Sequence, residues 1–455
     1  MQETGIGRLL ESADKIMMDW NRLLCAQRLG AQRSEHTSPE SGRSDFHKDH
    51  DRIVFSSPFR RMGRKTQVHP MSENDQVHTR LTHSIEVSCV GRSLGLIVGR
   101  RLAGQLPADI SPYDVGAIIQ AACVAHDIGN PPFGHAGEYA IRDWFRRDDH
   151  AYLLQNLAEA ERLDLRTFEG NAQGFRVVTQ LENHRFEGGM RLTYATLGTT
   201  LKYPWTGEHA SGSGKFSCYQ SEKHLLEETV AELGLPQLAP GKWARHPLSY
   251  LMEAADDICY AVLDLEDGIE IGMLPYETVE PLLLKICGNP ELVQLELAAA
   301  PSMRRKMALL RGKVVDRCVR EVADAFVRQQ HRLLEGGYQG DLLNDCPGFI
   351  REGIGEAKKL ARERIFNARH KVEVEVGAFT CLDILLDAFC TAAYQLKAAP
   401  QMPYRMQRIL DLMEYNAPKK EWPLYQSYRR VLDFIGGMTD NYATYLAQQV
   451  GGMGR

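Results

Sequence analysis

The sequence predicts an all-α fold, and three observations support this prediction. From residue 52 onward, apolar residues recur at the three- and four-residue spacing of a helix. Alternating runs of β-branched residues, which would indicate strands, are few. The chain has 455 residues, of which 44% are hydrophobic, and this is enough for a large packed core. The predicted helices span roughly 79–103, 112–129, 135–146, 172–183, 220–233, 247–271, 276–287, 303–334, 356–369, 378–397, 403–414 and 423–448.

The N-terminal part of the chain differs from the rest. Residues 31–51 are polar and have no apolar period, so they predict a loop that is partly disordered. We therefore expect three parts: a partly flexible N-terminal segment (1–51), a helical core (52–275) and a C-terminal helical region packed on that core (276–455).

The composition restricts the class of protein. A formal net charge of −5 gives no overall basic field that would attract nucleic acid or an anionic membrane. The ten cysteines form no CxxC pair, which is typical of reduced thiols in a cytoplasmic protein. There is no uninterrupted run of about 18 uncharged apolar residues and no apolar N-terminal signal, so we expect neither a membrane span nor secretion.

A Gly/Ser-rich stretch at 205–217 contains GSGK, which matches part of a phosphate-binding P-loop. That motif also requires a glycine five residues before the GK glycine, and a Ser or Thr after the lysine. Here the two positions are His209 and Phe216, and no predicted strand precedes the stretch. The sequence therefore excludes a P-loop NTPase.

One candidate metal-binding pair ends an almost wholly apolar segment, 114–129, where His126 and Asp127 are adjacent. Neighbouring helical residues are about 100° apart, so both side chains can reach one ion at the edge of the helix. A carboxylate at the end of a buried helix also costs free energy unless something compensates its charge. An isolated His-Asp pair more often simply meets solvent, so further ligands are needed to support this interpretation.

An acidic face on the predicted helix 247–271 supplies further candidate ligands. No Lys or Arg occurs between residues 246 and 284. Like charges one turn apart repel, so this face requires either a cation or plain water. The polar face contains Glu253, Asp256, Asp257, Tyr260, Asp264 and Asp267.

With His83 on the predicted helix 79–103, the complete pattern is H…HD…D, which is two imidazoles and two carboxylates. Such a mixed nitrogen and oxygen site suits Mn, Fe, Co or Zn and can hold Mg, with positions left open for water and substrate. The helical wheel does not choose between Asp256 and Asp257, because both lie on the polar face.

Several sequence motifs resemble those of the dGTP triphosphohydrolase family of the HD superfamily, and they follow one another in the same order as in that family. They cover roughly 200 residues, and IFNARHKVEVE resembles a later block of that family. The resemblance implies an HD-domain helical core with a C-terminal helical extension, and hydrolysis of dGTP to deoxyguanosine and tripolyphosphate. It also implies Mn²⁺ or Mg²⁺ as cofactor, with Co²⁺, Fe²⁺, Zn²⁺ or Ni²⁺ as alternatives. The motifs are SSPFRRMGRKTQV (56–68), TRLTHSIEV (79–87), AHDIGNPPFGHAGE (125–138), FEGNAQGFR (168–176), LKYPW (201–205) and MEAADDICYAVLDLED (252–267).

The resemblance also assigns roles to single residues. It makes His83, His126, Asp127 and Asp256 the metal ligands, and so favours Asp256 over Asp257. It makes His135 and Glu138 a catalytic pair, and their three-residue spacing places them on one helical face. Asn171 falls at a further polar position of the active site. The residues expected to bind substrate are Gln67, Arg80, Lys202, Lys215, Tyr260 and Asp264.

The expected tasks of these substrate-binding residues differ. Arg80, Lys202 and, with less sequence support, Lys215 would bind phosphates. Tyr260 would pack beneath the deoxyribose and exclude a 2′-hydroxyl, although half-buried packing alone would also explain a tyrosine there. Gln67 and Asp264 would read the 3′-hydroxyl. Arg60 and Arg61 could bind phosphate, but a structural ion-pair role is favoured.

Alternatives remain open at the level of substrate and partner. One is a broad dNTP hydrolase that is activated by nucleotide at a separate site. Another is a single-stranded-DNA-binding protein, since the segments 303–332 and 351–371 hold more Lys and Arg than acids. The family resemblance favours a hexamer or another homo-oligomer, with the C-terminal region involved. Base choice cannot be read from the sequence, but 366–377 could contribute to the base pocket.

Overall fold

The structure is a computed structural model that describes residues 17–30, 42–68, 74–182, 189–210, 212, 214–288 and 290–453. It confirms the all-α prediction, because strands in the described residues form only one short antiparallel hairpin, β1 (Gln237–Ala239) and β2 (Lys242–Trp243). The helices are α1 Trp20–Leu23, α2 Asp45–Val54, α3 Ser57–Arg61, α4 Arg80–Arg101, α5 Pro112–Ala125, α6 His135–Arg146, α7 Ala151–Leu154, α8 Glu159–Arg166, α9 Gly170–Arg176, α10 Tyr194–Thr200, α11 Lys223–Leu233, α12 Pro247–Glu270, α13 Tyr276–Cys287, α14 Pro290–Ala298, α15 Met303–Leu334, α16 Gly348–Ala361, α17 Arg369–Ala398, α18 Tyr404–Asp411, α19 Leu424–Gly436 and α20 Asp440–Val450.

Local sequence signals fix where the central helices begin. A capping box formed by Thr79 and Thr82 starts α4. Ser111 caps α5 through the Asp114 amide, with Pro112 in the first turn. These helix starts help to position the candidate metal ligands. His83 lies in the first turn of α4, and His126 directly follows the last residue of α5.

Helices α4, α5 and α12 pack against one another in the larger hydrophobic core. The close approach of α4 to α5 requires glycine at position 95. A Cβ atom there would lie 2.8 Å from the Cα of Gly116 and 2.9 Å from the carbonyl oxygen of Val115. This tight crossing brings the first turn of α4 close to the end of α5.

A second hydrophobic core lies between α6–α8 and the C-terminal helices α17–α20. Leu382, Leu386 and Phe389 of α17 are fully buried in it. By length and composition, α17 is also the one helix in the described part of the chain that could cross a membrane, with a mean hydropathy of 1.6 over its most apolar window. However, 44% of that window is buried inside the protein, and a core helix passes the same test of length and composition, so the absence of a membrane span stays a prediction.

Other differences from the sequence prediction have local causes. Residues 45–51 form most of α2 rather than a loop, because buried Asp49 is satisfied by Arg28 and Thr193. The rest of the predicted loop, 31–41, lies outside the described residues. The predicted helix 423–448 is two helices separated at 437–439. The predicted helix 356–369 instead covers the end of α16 and a following π turn, Arg362–Phe366, and Arg369 begins α17.

Candidate metal centre and active site

The structure brings together three of the four predicted metal ligands as one compact group. The ligand atoms of His83, His126 and Asp256 all lie within 4.8 Å of one another. His83 Nε2 is 3.0 Å and His126 Nε2 is 3.7 Å from Asp256 Oδ1. These residues come from the first turn of α4, the end of α5 and the middle of α12. The core packing of these helices therefore builds the group from distant parts of the chain.

The fourth predicted ligand, Asp127, lies at the edge of this group. Its Oδ1 atom is 3.7 Å from His126 Nε2. Arg80 donates to Oδ2 and the Asn130 side chain donates to Oδ1, each at 2.5 Å. These donors orient the carboxylate and offset its charge.

Hydrogen bonding also orients one imidazole. His126 Nδ1 lies 2.7 Å from the carbonyl oxygen of Cys123, which can only accept, so Nδ1 carries the proton. Nε2, which faces Asp256, therefore keeps its lone pair. This is the second-shell arrangement typical of metal-binding histidines.

The two carboxylates of this group are ionised at neutral pH. Burial would raise the pKa of Asp127, but Arg80, His126 and His83 outweigh it and hold this pKa at about 2. Burial likewise opposes ionisation of Asp256, and the two histidines and Lys202 lower its pKa. Two ionised carboxylates and two imidazoles form a donor set that fits a divalent cation.

The predicted catalytic pair, His135 and Glu138, begins α6. His135 Nδ1 is 3.1 Å from Glu138 Oε2, which leaves Nε2 free for other contacts. His135 is 77% exposed, whereas Glu138 is only 2% exposed. The Glu138 carboxylate also accepts a hydrogen bond from the amide of Gly170, at 2.6 Å. A fixed, buried carboxylate therefore orients an accessible imidazole.

A second buried carboxylate, Glu169, lies beside this pair and was missed in the sequence. It accepts from the Asn171 side chain at 2.6 Å and pairs with both Lys215 and Arg142 at 3.0 Å. Burial and the charge of Glu138 raise the pKa of Glu169. One sequence feature could have identified Glu169: it lies in FEGNAQGFR, directly before a helix whose first residues it caps. Glu169 thus links Asn171 and Lys215, two site residues for which the sequence predicted no connection.

These side chains surround a cavity of about 500 Å³. Two predicted site residues, His83 and Asp264, are not among its lining residues. The lining residues are Gln67, Val68, Arg80, His126, Asp127, Asn130, His135, Glu138, Glu169, Asn171, Thr200, Lys202, Tyr203, Lys215, Met252, Glu253, Asp256, Tyr260, Phe366 and Lys371.

Of the thirteen predicted site residues, eleven line this cavity. The two exceptions are His83, whose side chain is buried beside Asp256, and Asp264, which lies two turns beyond Asp256 on α12.

Two buried oxygen atoms, one on a residue that lines the cavity and one further along α12, have no hydrogen-bond partner in the described residues. They are Gln67 Oε1 and Asp264 Oδ2. Burial, with the charges of Asp267 and Asp256, raises the pKa of Asp264 well above its usual range. The ring of Tyr260, one turn before Asp264, lies 5.8 Å from that of Phe366. Buried oxygens of this kind normally have partners, and a hydroxyl on a ligand would be a suitable one.

Four cationic side chains face the same space. Arg80 is paired with Asp127, Lys202 with Glu253 at 2.9 Å, and Lys215 with Glu169. Lys371, in the 366–377 block, is the fourth and was not predicted individually. Neither Arg60 nor Arg61 lines this cavity: Arg60 donates to the Phe55 carbonyl, and Arg61 lines a second cavity of about 450 Å³.

The chain is similar to known proteins. Residues 80–210 match the HD domain family, a range that includes three of the predicted ligands but ends before Asp256. The chain is 54% identical to the deoxyguanosinetriphosphate triphosphohydrolase-like protein of Pseudomonas aeruginosa, over 96% of this chain and 99% of the relative. It is 40% identical to the protein of that name from Synechocystis, over 96% and 100%. It is 32% identical to the deoxyguanosinetriphosphate triphosphohydrolase of Salmonella enteritidis, over 88% and 92%.

The fold and the clustered His and Asp side chains therefore define an HD-domain protein, a class that binds divalent metal ions. More narrowly, the chain belongs to the family of deoxyguanosinetriphosphate triphosphohydrolase-like proteins. The family resemblance predicted from the sequence is confirmed.

Proposed function

We propose that this protein hydrolyses deoxynucleoside triphosphates, with dGTP as the preferred substrate, to a deoxynucleoside and tripolyphosphate. The observation that best supports this proposal is the compact group of His83, His126 and Asp256. This group lies beside a cavity that is lined by four cationic side chains. The names of the relatives support dGTP as the substrate. Such a reaction would help to control the cellular dNTP pool.

We assign the divalent ion to His83, His126, Asp127 and Asp256, with Mn²⁺ or Mg²⁺ as the expected metal. A bound divalent ion would offset charge on the α-phosphate and lower the pKa of water. The two histidines offer Nε2, and Arg80 and Asn130 hold Asp127 in place. The nitrogen ligands also allow Co²⁺, Fe²⁺, Zn²⁺ or Ni²⁺.

In the proposed reaction, a water oxygen bonds to the α-phosphorus while the bond from phosphorus to the 5′ oxygen breaks. The water loses a proton and the 5′ oxygen gains one. His135 would exchange a proton through Nε2, because Glu138 engages its Nδ1 atom. Asn171, held by Glu169, would donate a hydrogen bond to the reacting phosphate.

The phosphate chain would lie along Arg80, Lys202 and Lys215. All three line the cavity, and each is already close to a carboxylate. Burial opposes the charge of Lys202, but Glu253 outweighs it and raises the pKa of Lys202 above its usual range. These cations would offset the charge of the departing tripolyphosphate.

The deoxyribose would lie over Tyr260, near Gln67 and Asp264. The unpartnered Gln67 Oε1 would accept the one hydrogen bond that the 3′-hydroxyl donates, and Asp264, whose raised pKa favours the protonated carboxyl, would donate to the hydroxyl oxygen. A tyrosine ring packed under the sugar leaves little space for a 2′-hydroxyl, which favours deoxyribose. Phe366 and Lys371 are the best candidates within 366–377 for contact with the base.

We also propose an oligomeric state and a cellular location for the protein. We expect a homo-oligomer, with a hexamer favoured, and a cytoplasmic location in which the ten free cysteines stay reduced. Single-stranded DNA binding at 303–332 has less support, because Arg304, Arg311 and Lys313 are paired with acidic side chains. Their charges are already offset within the chain.

Product analysis tests the proposed function. The purified protein is incubated with Mn²⁺ or Mg²⁺ and with each dNTP alone, with dNTP mixtures and with GTP. The site variant is His126→Ala, and the matched control is His224→Ala, an exposed histidine on α11. Deoxyguanosine and tripolyphosphate from dGTP alone, lost only in His126→Ala, is the expected result.

Other outcomes would change the proposal. Cleavage of all four dNTPs, or of mixtures only, would indicate a broad dNTP hydrolase regulated by nucleotide at a separate site. No turnover with either metal would overturn the enzymatic proposal and direct attention to single-stranded DNA binding.

A further inference from the structure

The turn that leads into His135 has an unusual backbone. Phe133 and Gly134 have φ angles of 63° and 58°, both in the left-handed region. Glycine adopts this region readily, but a phenylalanine there costs free energy and persists only where its surroundings hold it. Since His135 is the next residue after this turn, whatever holds the turn also determines where the imidazole lies.

One carboxylate near the C-terminus holds the turn. Asp440 Oδ1 accepts the amide hydrogen of Phe133 at 2.9 Å. Its other oxygen, Oδ2, accepts from the amide and the hydroxyl of Thr66, at 2.9 and 2.7 Å. Asp440 is only 3% exposed. A single buried group therefore joins the turn before His135 to the segment that leads into Gln67.

A lysine next to Thr66 strengthens this connection. Lys65 Nζ donates to the carbonyl oxygens of Asn130 and Gly436, both at 2.6 Å. Asn130 begins the segment that leads to Phe133, and Gly436 ends α19. Asp440 thus contacts the turn directly at Phe133, and Gly436 is linked to the start of the turn through Lys65.

An ordinary helix-capping role does not explain these contacts. The cap of α20 is Thr439, whose hydroxyl accepts from the amide of Tyr442. Both oxygens of Asp440 instead face residues more than 300 positions earlier in the chain.

We propose that Asp440 is a positioning residue that holds the turn at Phe133 and thereby places His135 for catalysis. This inference rests on the proposed function, because it assigns His135 a part in the reaction. It predicts that Asp440 contributes to turnover only through His135, and not through the metal or the cations that bind phosphate.

A double-mutant cycle tests this coupling. Asp440→Ala should lower kcat for dGTP by about 10- to 100-fold, because small displacements of a reacting group are costly. KM and the Mn²⁺ affinity should change by less than about 3-fold. In a His135→Ala background, Asp440→Ala should lower the residual kcat by less than about 2-fold. Equal effects in both backgrounds would overturn the proposal, since a general structural defect multiplies with the loss of His135.

Asp164→Asn is the matched control. Asp164 is also fully buried and also joins the core to α19, through the amide of Gln220 at 2.7 Å and the hydroxyl of Tyr425. In the described residues, no hydrogen bond or ion pair joins Asp164 to the 130–135 turn. Its substitution should leave kcat within about 3-fold at a temperature where all variants are folded. A loss of kcat as large as that of Asp440→Ala would contradict a specific role for Asp440.

Hydrogen exchange separates failure of this inference from failure of the proposed function. Asp440→Ala should raise amide exchange in 130–137 by at least about 10-fold, and Asp164→Asn should not. This readout requires no substrate. Unchanged exchange would overturn the positioning role even in an active enzyme, whereas increased exchange in a protein without dNTP turnover would leave the contact supported and the proposed function wrong.

Discussion

At the scale of single residues, Asp256 and Asp257 provide a direct comparison. They are adjacent, but Asp256 lies 3.0 Å from His83 Nε2, whereas Asp257 pairs with Lys358 at 2.7 Å. The sequence alone could not separate them, because both lie on the polar face of α12. Only the packing of α4 and α16 against α12 distinguishes their partners.

Asp256→Asn should lower Mn²⁺ affinity and turnover by more than about 100-fold, since it removes an anionic ligand. Asp257→Asn, which changes the same chemical group one residue later, should change both by less than about 3-fold. Calorimetric Mn²⁺ titration and initial rates measure the two effects. Equal losses in the two variants would contradict the assigned ligand set.

Glu169 gives a second prediction at this scale. Glu169→Gln removes the charge that pairs with Lys215 and Arg142 and turns one acceptor into a donor facing them. We expect kcat/KM to fall by about 10- to 100-fold with Mn²⁺ affinity retained, because the change disturbs Asn171 and Lys215 but no assigned ligand. Glu266→Gln, which loses its pair with Arg311 outside the cavity, is the control. A Glu169→Gln variant as active as this control would show that the link to Asn171 is dispensable.

At the scale of elements, the crossing of α4 and α5 determines whether the site forms. Gly95→Ala would place a methyl group 2.8 Å from the Cα of Gly116, so backbone must move. We expect the free energy of unfolding to fall by about 1–3 kcal/mol. Denaturant unfolding monitored by circular dichroism measures this change.

Gly312→Ala is the matched control within a helix. A Cβ at this position on α15 meets no other atom within 4 Å. Alanine should therefore raise the free energy of unfolding by about 0.5–1 kcal/mol, because it restricts the unfolded chain. A Gly95→Ala variant as stable as the wild type would contradict the close packing described here.

The long helices of the core were predictable, because their apolar spacing is regular and their caps are local. The predicted helix 247–271 and α12 (Pro247–Glu270) agree to within one residue. The short helices α8, α10 and α14 were missed, since too few residues establish a period. α2 was missed for a different reason: its buried Asp49 is satisfied only by residues distant in sequence.

At the scale of the whole molecule, two histidines connect stability to pH. His78 joins the start of α4 to α12, with Nδ1 2.7 Å from Asp267 and Nε2 3.0 Å from Glu86. Burial opposes its charge, but the hydrogen bonds that it donates to Asp267 and Glu86 outweigh burial and raise the pKa of His78 to about 10. Burial lowers the pKa of His246 to about 4.

These shifts act in opposite directions. A raised pKa favours the protonated folded state, so the contribution of His78 is complete below about 6.5 and is lost as the pH rises toward 10. A lowered pKa means that His246 must stay neutral, so stability is lost as the pH falls from about 6.5 toward 4. His78→Asn should therefore flatten the alkaline side of the curve of Tm against pH and leave the acid side unchanged. An unaltered alkaline side would contradict the role given to His78.

The sequence could predict which residues form the candidate site only through the family resemblance. Spacing alone identified His126, Asp127 and the acidic face of α12, but not their convergence. The sequence could not predict the contacts made by the C-terminal helices, since Asp440 contacts Phe133 and Thr66 only in the folded chain. These long-range polar contacts have no local pattern in the sequence.

The most direct test of the central claim is to locate the solvent oxygen after hydrolysis of dGTP in ¹⁸O-labelled water with Mn²⁺. Attack at the α-phosphorus predicts unlabelled deoxyguanosine and one ¹⁸O atom in tripolyphosphate, with no product from Asp256→Asn. Label in deoxyguanosine, or release of dGMP or dGDP in place of tripolyphosphate, would contradict the proposed reaction at this site.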